Sequence, residues 1–218
     1  LLRTRCAWRR LRRLRGDGFA QRVLIGRAAE QHAFPRAEMF DRRHAFIRRL
    51  LDFSRRPALQ KEPQAIKPLI DAVLGFMGPT FASRQATVTA DLADTESRVF
   101  ADNNQIETLF IILLSNALDA LPANGSVYVR SRSENGSFII QITDTGCGIS
   151  ERDRERVFEP FFTTKPPGKG TGLGLAIARN IVSDHGGQLS LRSTPGQGTT
   201  AEVLLPVVTS NRAQEVAP

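Results

Sequence analysis

The sequence contains few of the residues that build disulfide-rich or membrane-spanning proteins. Its 218 residues include only two cysteines, Cys6 and Cys147, which exclude a disulfide scaffold and fit a reducing, cytoplasmic compartment. The longest uninterrupted apolar run is short, at residues 109–114, whereas a membrane helix needs about 20 such residues. The chain is 41% hydrophobic and 24% charged, an ordinary globular composition that excludes wholesale disorder.

Positive charge is concentrated at the start of the chain. Residues 1–56 contain 16 arginines, no lysine and 5 acidic residues, whereas residues 57–218 contain 14 basic and 17 acidic residues. The net charge of +8 therefore comes from residues 1–56, which include an arginine-rich leader. Nucleic-acid binding by this leader is one interpretation, but the interpretation that we favour has no nucleic-acid partner. Because the chain begins with Leu, we expect residues 1–38 to be a leader of uncertain origin, from a longer protein or a misread frame.

Helical and strand patterns alternate along most of the chain, which predicts an α+β fold arranged as a two-layer α/β sandwich. The helix that begins after Asp102 has Gln105 at the third position, the pattern of a capping box. The other expectations are a helix near 40–56, a linker over 57–68, a helix over 66–81 interrupted at Gly75 and Gly78-Pro79, strands over 87–92, 126–133, 188–193 and 199–205, a hairpin turn at Asn135-Gly136, an inward face of Phe138, Ile140 and Ile142, a short helix from Ser150, and a helix from Gly172 to about His185.

Three features of this predicted core could carry chemistry. The run Asp144-Thr-Gly-Cys-Gly148 follows a strand, where glycines permit close approach of a ligand and a carboxylate can accept a hydrogen bond from an amine. The glycine-rich run 168–175 leads into a helix, which favours an anion site, although it is not a Walker A loop. Asn116 lies on an otherwise apolar helix, either as a satisfied core amide or as an oxygen ligand for Mg²⁺. Each feature alone also fits an ordinary turn or core.

Taken in order, these features resemble a known family. Asn116, the run Asp144–Gly148, the run Phe158-Glu-Pro-Phe-Phe162 and the run Gly170-Thr-Gly-Leu-Gly174 are similar to the N, G1, F and G2 boxes of sensor histidine kinases. Gyrase, heat-shock chaperone and mismatch-repair ATPases share that nucleotide-binding fold. The resemblance covers roughly residues 40–206, including Leu51-Asp-Phe-Ser-Arg55, which looks like the end of a second dimerisation helix.

The resemblance implies ATP and Mg²⁺ as cofactors, with ATP between the sheet and a lid. Asp144 would recognise the adenine amino group and Asn116 would hold Mg²⁺. Lys165 and Lys169 would meet the phosphates or else remain solvated. The residues expected at the site are catalytic and metal-binding Asn116, and ATP-binding Asp144, Gly146, Gly148, Lys165, Lys169, Gly170, Thr171, Gly172, Leu173, Gly174 and Thr199.

The sequence departs from the family pattern at two places. Ile112 stands one helical turn before Asn116, where the family usually has Asn and its hydrolytic relatives have a catalytic Glu. The phosphoacceptor is also unidentified, because none of the three histidines, His32, His44 and His185, has the expected position or neighbours. His185 lies at a helix C-terminus, where a positive charge would suit the helix dipole.

The function implied is an ATP-dependent protein-histidine kinase module of a two-component system. It would transfer phosphate to a histidine and then to a response regulator, with a homodimer formed through the helical hairpin and any membrane link made by an upstream sensor region. The alternative is a degenerate, non-catalytic ATP-binding and interaction module. We expect a leader at 1–38, a second dimerisation helix at 39–60, a catalytic domain at 61–208 and a tail at 209–218.

Overall fold

A computed structural model describes residues 59–92, 97–166 and 170–208. The expected leader, the tail and almost all of the expected dimerisation helix lie outside these residues. Within them, no helix is both long enough and apolar enough to cross a bilayer. The elements in chain order are β1 (Glu62–Ala65), α1 (Ile66–Ser83), β2 (Thr87–Leu92), β3 (Arg98–Ala101), α2 (Asn103–Ala120), β4 (Ser126–Glu134), β5 (Ser137–Asp144), α3 (Glu151–Arg154), α4 (Gly174–Asp184), β6 (Gln188–Thr194) and β7 (Gly198–Pro206).

The main sheet has five strands in the order β2-β4-β5-β7-β6. Strand β2 pairs parallel with β4, whereas the other neighbours pair antiparallel. Strands β1 and β3 form a separate antiparallel pair, which an isolated bridge between Val99 and Val207 links to the end of β7. The sheet is therefore mixed, and the predicted two-layer α/β sandwich is confirmed.

Helices α1, α2 and α4 pack on the inward face of the main sheet. Helix α2 is central, since it contacts α1, α4, β5 and β7. The predicted inward residues Phe138, Ile140 and Ile142 are all buried, as the period-2 alternation requires. Apolar side chains of α2 that the structure buries against them are Ile106, Leu109, Phe110, Leu113, Leu114, Ala117 and Leu118.

The predicted turns and the predicted start of the short helix are present. Strand β4 ends at Glu134 and β5 begins at Ser137, so Asn135-Gly136 forms a two-residue hairpin turn. Both turn residues have positive φ, +51° and +73°, the conformation that favours Asn-Gly at this position. Helix α3 begins after Ser150, whose hydroxyl accepts a hydrogen bond from the Asp153 N–H at 3.2 Å.

Three expected boundaries differ in the structure. Helix α1 is continuous, and the expected interruption is wrong: Pro79 lies inside it, and Gly75 and Gly78 have open space around them. The expected linker over 57–68 contains strand β1 and the start of α1 from residue 59 onward. Helix α4 begins at Gly174 rather than Gly172, because Gly172 has φ of +67°, which no right-handed helix contains.

Helix α2 has half of the predicted capping box. The Asp102 carboxylate accepts a hydrogen bond from the Gln105 N–H at 3.2 Å, as expected. The reciprocal bond is absent, because the Asp102 N–H donates instead to Nε2 of His185 at 3.0 Å. The Gln105 Oε1 atom is consequently buried with no hydrogen-bond partner. A long-range contact has displaced the local one.

The two ring nitrogens of His185 have different roles. Nε2 accepts from the Asp102 N–H, so the ring proton lies on Nδ1, which donates to the Ile181 carbonyl at 2.7 Å. Burial lowers the pKa of His185 below its usual value, and the nearby Lys61 ammonium lowers it further. The Ile181 carbonyl and the carboxylates of Asp102 and Asp184 partly oppose that decrease. The expected helix-terminal cation is thus a neutral imidazole that links the end of α4 to the start of α2.

We predict that this link makes the fold sensitive to acid. The folded-state pKa of His185 is below the unfolded value of 6.5, so below pH 6.5 the folded state binds fewer protons than the unfolded state. The free energy of unfolding contributed by this group should be full above pH 6.5 and should fall as the pH drops, by at most about 1.4 kcal/mol per pH unit. Chemical denaturation of the wild type and of His185→Gln at pH 5 to 8 measures the difference.

The variant should lose stability at neutral pH and show a flatter dependence below pH 6.5. Parallel profiles for the wild type and His185→Gln would show that His185 does not titrate on unfolding.

Candidate nucleotide-binding site

Asp144 is a buried carboxylate at the end of a central strand. The alternation that buries Phe138, Ile140 and Ile142 places it on the same face of β5, beneath the helices. Its Oδ1 accepts hydrogen bonds from the Gly146 N–H at 2.8 Å and from the Thr199 N–H at 3.2 Å. Both bonds fall on one oxygen, so Oδ2 accepts a hydrogen bond from no described residue and can accept one from a ligand.

The environment of Asp144 changes its ionisation. Burial raises the pKa of the carboxyl above its ordinary value, while the hydrogen bonds from Gly146 and Thr199 oppose that rise. The pKa remains raised because desolvation is the larger effect. A hydrogen-bond donor from a ligand would favour the charged form.

The glycines around Asp144 are required by close backbone contacts. A Cβ at Gly146 would lie 2.6 Å from the Ala120 carbonyl oxygen at the end of α2. A Cβ at Gly148, where φ is +68°, would lie 2.2 Å from the Thr194 carbonyl oxygen. Gly198, which the sequence analysis did not assign, is tighter still, since a Cβ there would lie 1.9 Å from the Asp144 carbonyl oxygen. Thus the predicted Gly146 and Gly148 both lie at the site, and Gly198 joins them.

The Ser193 hydroxyl, which the sequence did not indicate, connects two backbone segments beside Asp144. Ser193 Oγ accepts from the Ile149 N–H at 2.8 Å and donates to the Gly198 carbonyl at 2.9 Å. Because its single proton is used there, the 2.9 Å contact with Thr199 Oγ1 has Thr199 as the donor. The predicted Thr199 therefore lies beside Asp144, but its hydroxyl proton is directed to Ser193. A lone serine on a strand gave no sequence signal of this role.

Asn116 and Ile112 lie together at the start of helix α4. A Cβ at Gly174 would be 3.4 Å from Ile112 Cγ2 and 3.7 Å from Asn116 Nδ2. The two side chains thus share one face of α2, one turn apart, as the sequence spacing implies. Helix α4 has no side-chain cap at Leu173, so the backbone N–H groups of its first turn are available to an anion.

The run from Gly170 to Gly174, here called the glycine loop, is held by the Phe-rich segment before it. The Phe161 N–H donates to the Gly172 carbonyl at 2.9 Å, and a Cβ at Gly172 would lie 2.3 Å from the Phe161 carbonyl carbon. Phe161 itself is exposed and has φ of +69°, a conformation that bulky side chains rarely adopt. Thr171 Oγ1 accepts from the Leu173 N–H at 3.5 Å, and the Leu173 side chain is buried in the core.

The two lysines expected near phosphates differ in what the structure describes. Lys169 lies outside the described residues. Lys165 Nζ forms an ion pair with Asp119 Oδ2 at 2.6 Å, near the end of α2. Asp119 was not predicted at the site. A carboxylate in the last turn of a helix interacts unfavourably with the helix dipole, and this feature of the sequence could have indicated a special role.

Protein side chains alone do not form a metal centre in the part of the chain that the structure describes. No group of three or more His, Cys, Asp or Glu side chains there could hold a metal ion. Any divalent cation bound here would take most of its ligands from water and from the bound anion. Mg²⁺ commonly does so in phosphate sites, so one amide oxygen from Asn116 fits its chemistry.

Comparisons with known proteins place this geometry in a family. Residues 101–209 match the family model for the histidine kinase-, DNA gyrase B-, and HSP90-like ATPases. The sensor histidine kinase ZraS of Escherichia coli strain K12 is 32% identical over 189 residues, which cover 87% of this chain and 40% of ZraS. The chain therefore spans about two fifths of the length of that relative.

Solved structures share the fold. The nucleotide-free catalytic domain of histidine kinase ThkA has a TM-score of 0.62 and 28% identity, covering 68% of this chain and 96% of that domain. Histidine kinase ThkA in complex with response regulator protein TrrA shows the same fold at 24% identity, with a TM-score of 0.67, covering 79% of this chain and 49% of the ThkA chain. The chain belongs to the family of histidine kinase-, DNA gyrase B- and HSP90-like ATPases.

Proposed function

We propose that the site binds Mg²⁺·ATP between the end of β5 and the start of α4. The observation that carries this proposal is the convergence of three polar features around the second half of helix α2. Asp144 offers an unpaired carboxylate oxygen to the 6-amino group of adenine. The uncapped start of α4 offers N–H groups to the phosphates, and Asn116 faces the same helix start. These groups match the base, phosphate and metal ends of one nucleotide.

Bound Mg²⁺ would neutralise phosphate charge and hold the phosphate oxygens in a fixed orientation. Asn116 would contribute its amide oxygen to the metal. Ile112 contributes none, and its methyl group instead packs toward Gly174. In the hydrolytic relatives the position of Ile112 carries a Glu that activates water. This chain cannot activate water by that route, which disfavours ATP hydrolysis.

We propose further that the chain is the catalytic part of a sensor histidine kinase. An imidazole nitrogen would attack the γ-phosphorus, the bond to the β-phosphate oxygen would break, and ADP would leave. The phosphoryl group would then pass to a response regulator. Membership of the family, the likeness to ZraS and the fold shared with ThkA support this proposal. The dimerisation helix expected at 39–60 would supply a homodimer interface.

The acceptor histidine is not His185. Its side chain is buried, and both ring nitrogens are occupied by backbone groups of Asp102 and Ile181. The remaining two histidines, His32 and His44, lie outside the described residues and have the wrong sequence neighbours for an acceptor. We therefore expect the acceptor on a partner domain or on chain outside this sequence. A non-catalytic ATP-binding and interaction module is the second candidate, and Ile112 is the observation that favours it.

We predict that Asp144→Asn removes most nucleotide binding. The Gly146 and Thr199 N–H groups would hold the amide oxygen at the Oδ1 position, so the amide NH₂ would face the adenine amino group, donor against donor. The loss should be about 1.5–3 kcal/mol, measured by calorimetric titration with Mg²⁺·ATP.

The exposed Asp91 on the edge strand β2 provides the matched control, and Asp91→Asn should bind as the wild type does. Thermal denaturation of both variants checks that the fold is intact. Equal affinities of a folded Asp144→Asn and the wild type would overturn the adenine assignment.

We predict that Ile112→Asn strengthens Mg²⁺·ATP binding. A second amide oxygen one turn before Asn116 would add a metal ligand, with a gain of about 1–2 kcal/mol, partly offset by placing an amide near apolar neighbours. Asn116→Ala should weaken Mg²⁺·ATP binding and reduce its dependence on Mg²⁺. Mg²⁺ titrations against a fluorescent ATP analogue measure both effects.

Ile111 offers a control of the same residue type on the same helix, because its side chain is exposed. Ile111→Asn should leave the Mg²⁺ titration unchanged. If Ile112→Asn binds no better and Asn116→Ala no worse, helix α2 does not carry the metal site, and the non-catalytic candidate becomes the better one.

The phosphotransfer proposal has its own test. With γ-labelled ATP, Mg²⁺ and a supplied dimerisation domain that contains an acceptor histidine, we expect acid-labile label on that domain. Asp144→Asn should abolish the labelling, and His185→Gln should retain it. Tight ATP binding without any label would favour the non-catalytic module.

A further inference from the structure

An ion pair joins the segment before the glycine loop to the end of helix α2. Lys165 Nζ lies 2.6 Å from Asp119 Oδ2, and Arg84 reaches Asp119 Oδ1 at 3.7 Å. Both Lys165 and Asp119 are about one third exposed, so the pair is accessible to solvent and solutes. Asp119 thus holds two cations from two separate segments.

The position of Asp119 is costly for the helix on which it lies. Helix α2 ends at Ala120, so Asp119 is in its last turn, where the helix dipole disfavours negative charge. The side chain serves neither as a cap nor in the core. Among the described residues its partners are two cations from other parts of the fold, which points to a role beyond the stability of α2.

The Asp119 carboxylate lies one helical turn after Asn116, on the same helix. Asp119 follows Asn116 by three residues, so the two side chains are neighbours on the helix surface. The carbonyl of the next residue, Ala120, accepts a hydrogen bond at 3.1 Å from the N–H of Cys147, which lies in the turn that follows Asp144. A negative charge at position 119 is therefore close to where the phosphates and metal of a nucleotide would bind.

The Lys165 side chain lies between the start of the glycine loop and Asp119. Its N–H donates to Thr163 Oγ1 at 3.2 Å, and a Cβ at Gly170 would lie 3.1 Å from its Cδ atom. The side-chain stem of Lys165 therefore lies against the start of the glycine loop. The ammonium at its end is held by Asp119.

We propose that Asp119 makes nucleotide binding depend on the metal ion. This inference rests on the proposed ATP site. A metal-free triphosphate would be repelled by the Asp119 carboxylate and would have to displace it from Lys165. Mg²⁺ removes two units of negative charge from the nucleotide and so weakens the repulsion. Asp119 is in this sense a specificity-determining residue, which selects the metal complex over the free nucleotide.

The test is the affinity for ATP with Mg²⁺ and with EDTA, measured by calorimetry on the full chain. Asp119→Asn should bind metal-free ATP roughly tenfold more tightly and Mg²⁺·ATP by less than about threefold, because the carboxylate acts chiefly on the uncompensated charge. Asp119→Glu should retain the wild-type ratio. Exposed ion pairs contribute little to stability, so the variants should fold, which thermal denaturation checks.

A second variant separates competition for Lys165 from plain repulsion. Lys165→Met should remove most of the gain when combined with Asp119→Asn, because the freed ammonium is what binds the phosphates. The matched control is the pair Lys67 and Asp71 on α1, also 2.6 Å apart. Asp71→Asn should leave both affinities unchanged.

Adenosine, which carries no phosphate, separates the effect of Asp119 on the phosphates from binding of the base. It should bind the wild type and Asp119→Asn equally. If ATP binds but Asp119→Asn leaves the ratio of the two affinities unchanged, or weakens metal-free binding, the inference is overturned and the ATP site stands. If neither adenosine nor ATP binds the wild type, the proposed function fails and the inference fails with it.

Discussion

The site depends on one buried carboxylate oxygen that accepts two backbone N–H groups. Asp144 Oδ1 joins the turn after β5, through Gly146, to the start of β7, through Thr199. Burying a charged group is unfavourable unless it is hydrogen-bonded, and these two bonds offset part of that cost. The same two bonds fix the carboxylate so that its second oxygen keeps one orientation. A side chain held this way can select a hydrogen-bond donor, whereas a mobile one could not.

Much of the core and the main sheet could be predicted from the sequence, because local chemistry decides them. Alternation along β5 placed Phe138 inward and, by the same rule, Asp144 beneath the helices. Long-range contacts decided the rest. The pairing of β1 with β3 leaves no local pattern in four-residue strands. The missing half of the capping box depends on His185, which is 83 residues from Asp102. At the site, the box resemblance pointed to Gly146, Gly148 and Gly172, where the structure has close backbone contacts, but not to Gly198. Ser193 and Asp119 have partners that the sequence does not place beside them.

The two ends of helix α2 are held by different kinds of interaction. At its start, Asp102 accepts from Gln60 and Gln105 and donates to the neutral imidazole of His185. Near its end, Asp119 is bound by cations from two other segments. All three hydrogen bonds of the first set have backbone N–H donors, and they fix the position of the helix. The second is exposed and can exchange partners, which is what a binding site requires of its charged groups.

The substitution at Ile112 becomes intelligible when charge and packing are considered together. The position faces the start of α4, where its methyl group lies at ordinary contact distance from the place a Gly174 Cβ would take. An apolar side chain there strengthens the packing of α2 against α4 but supplies no oxygen to a metal. The metal then depends on Asn116, water and the phosphates, a set that Mg²⁺ accepts. Discrimination for the metal complex would have to come from charge rather than from ligand number, and Asp119, three residues beyond Asn116, is the negative charge available at that face to provide it.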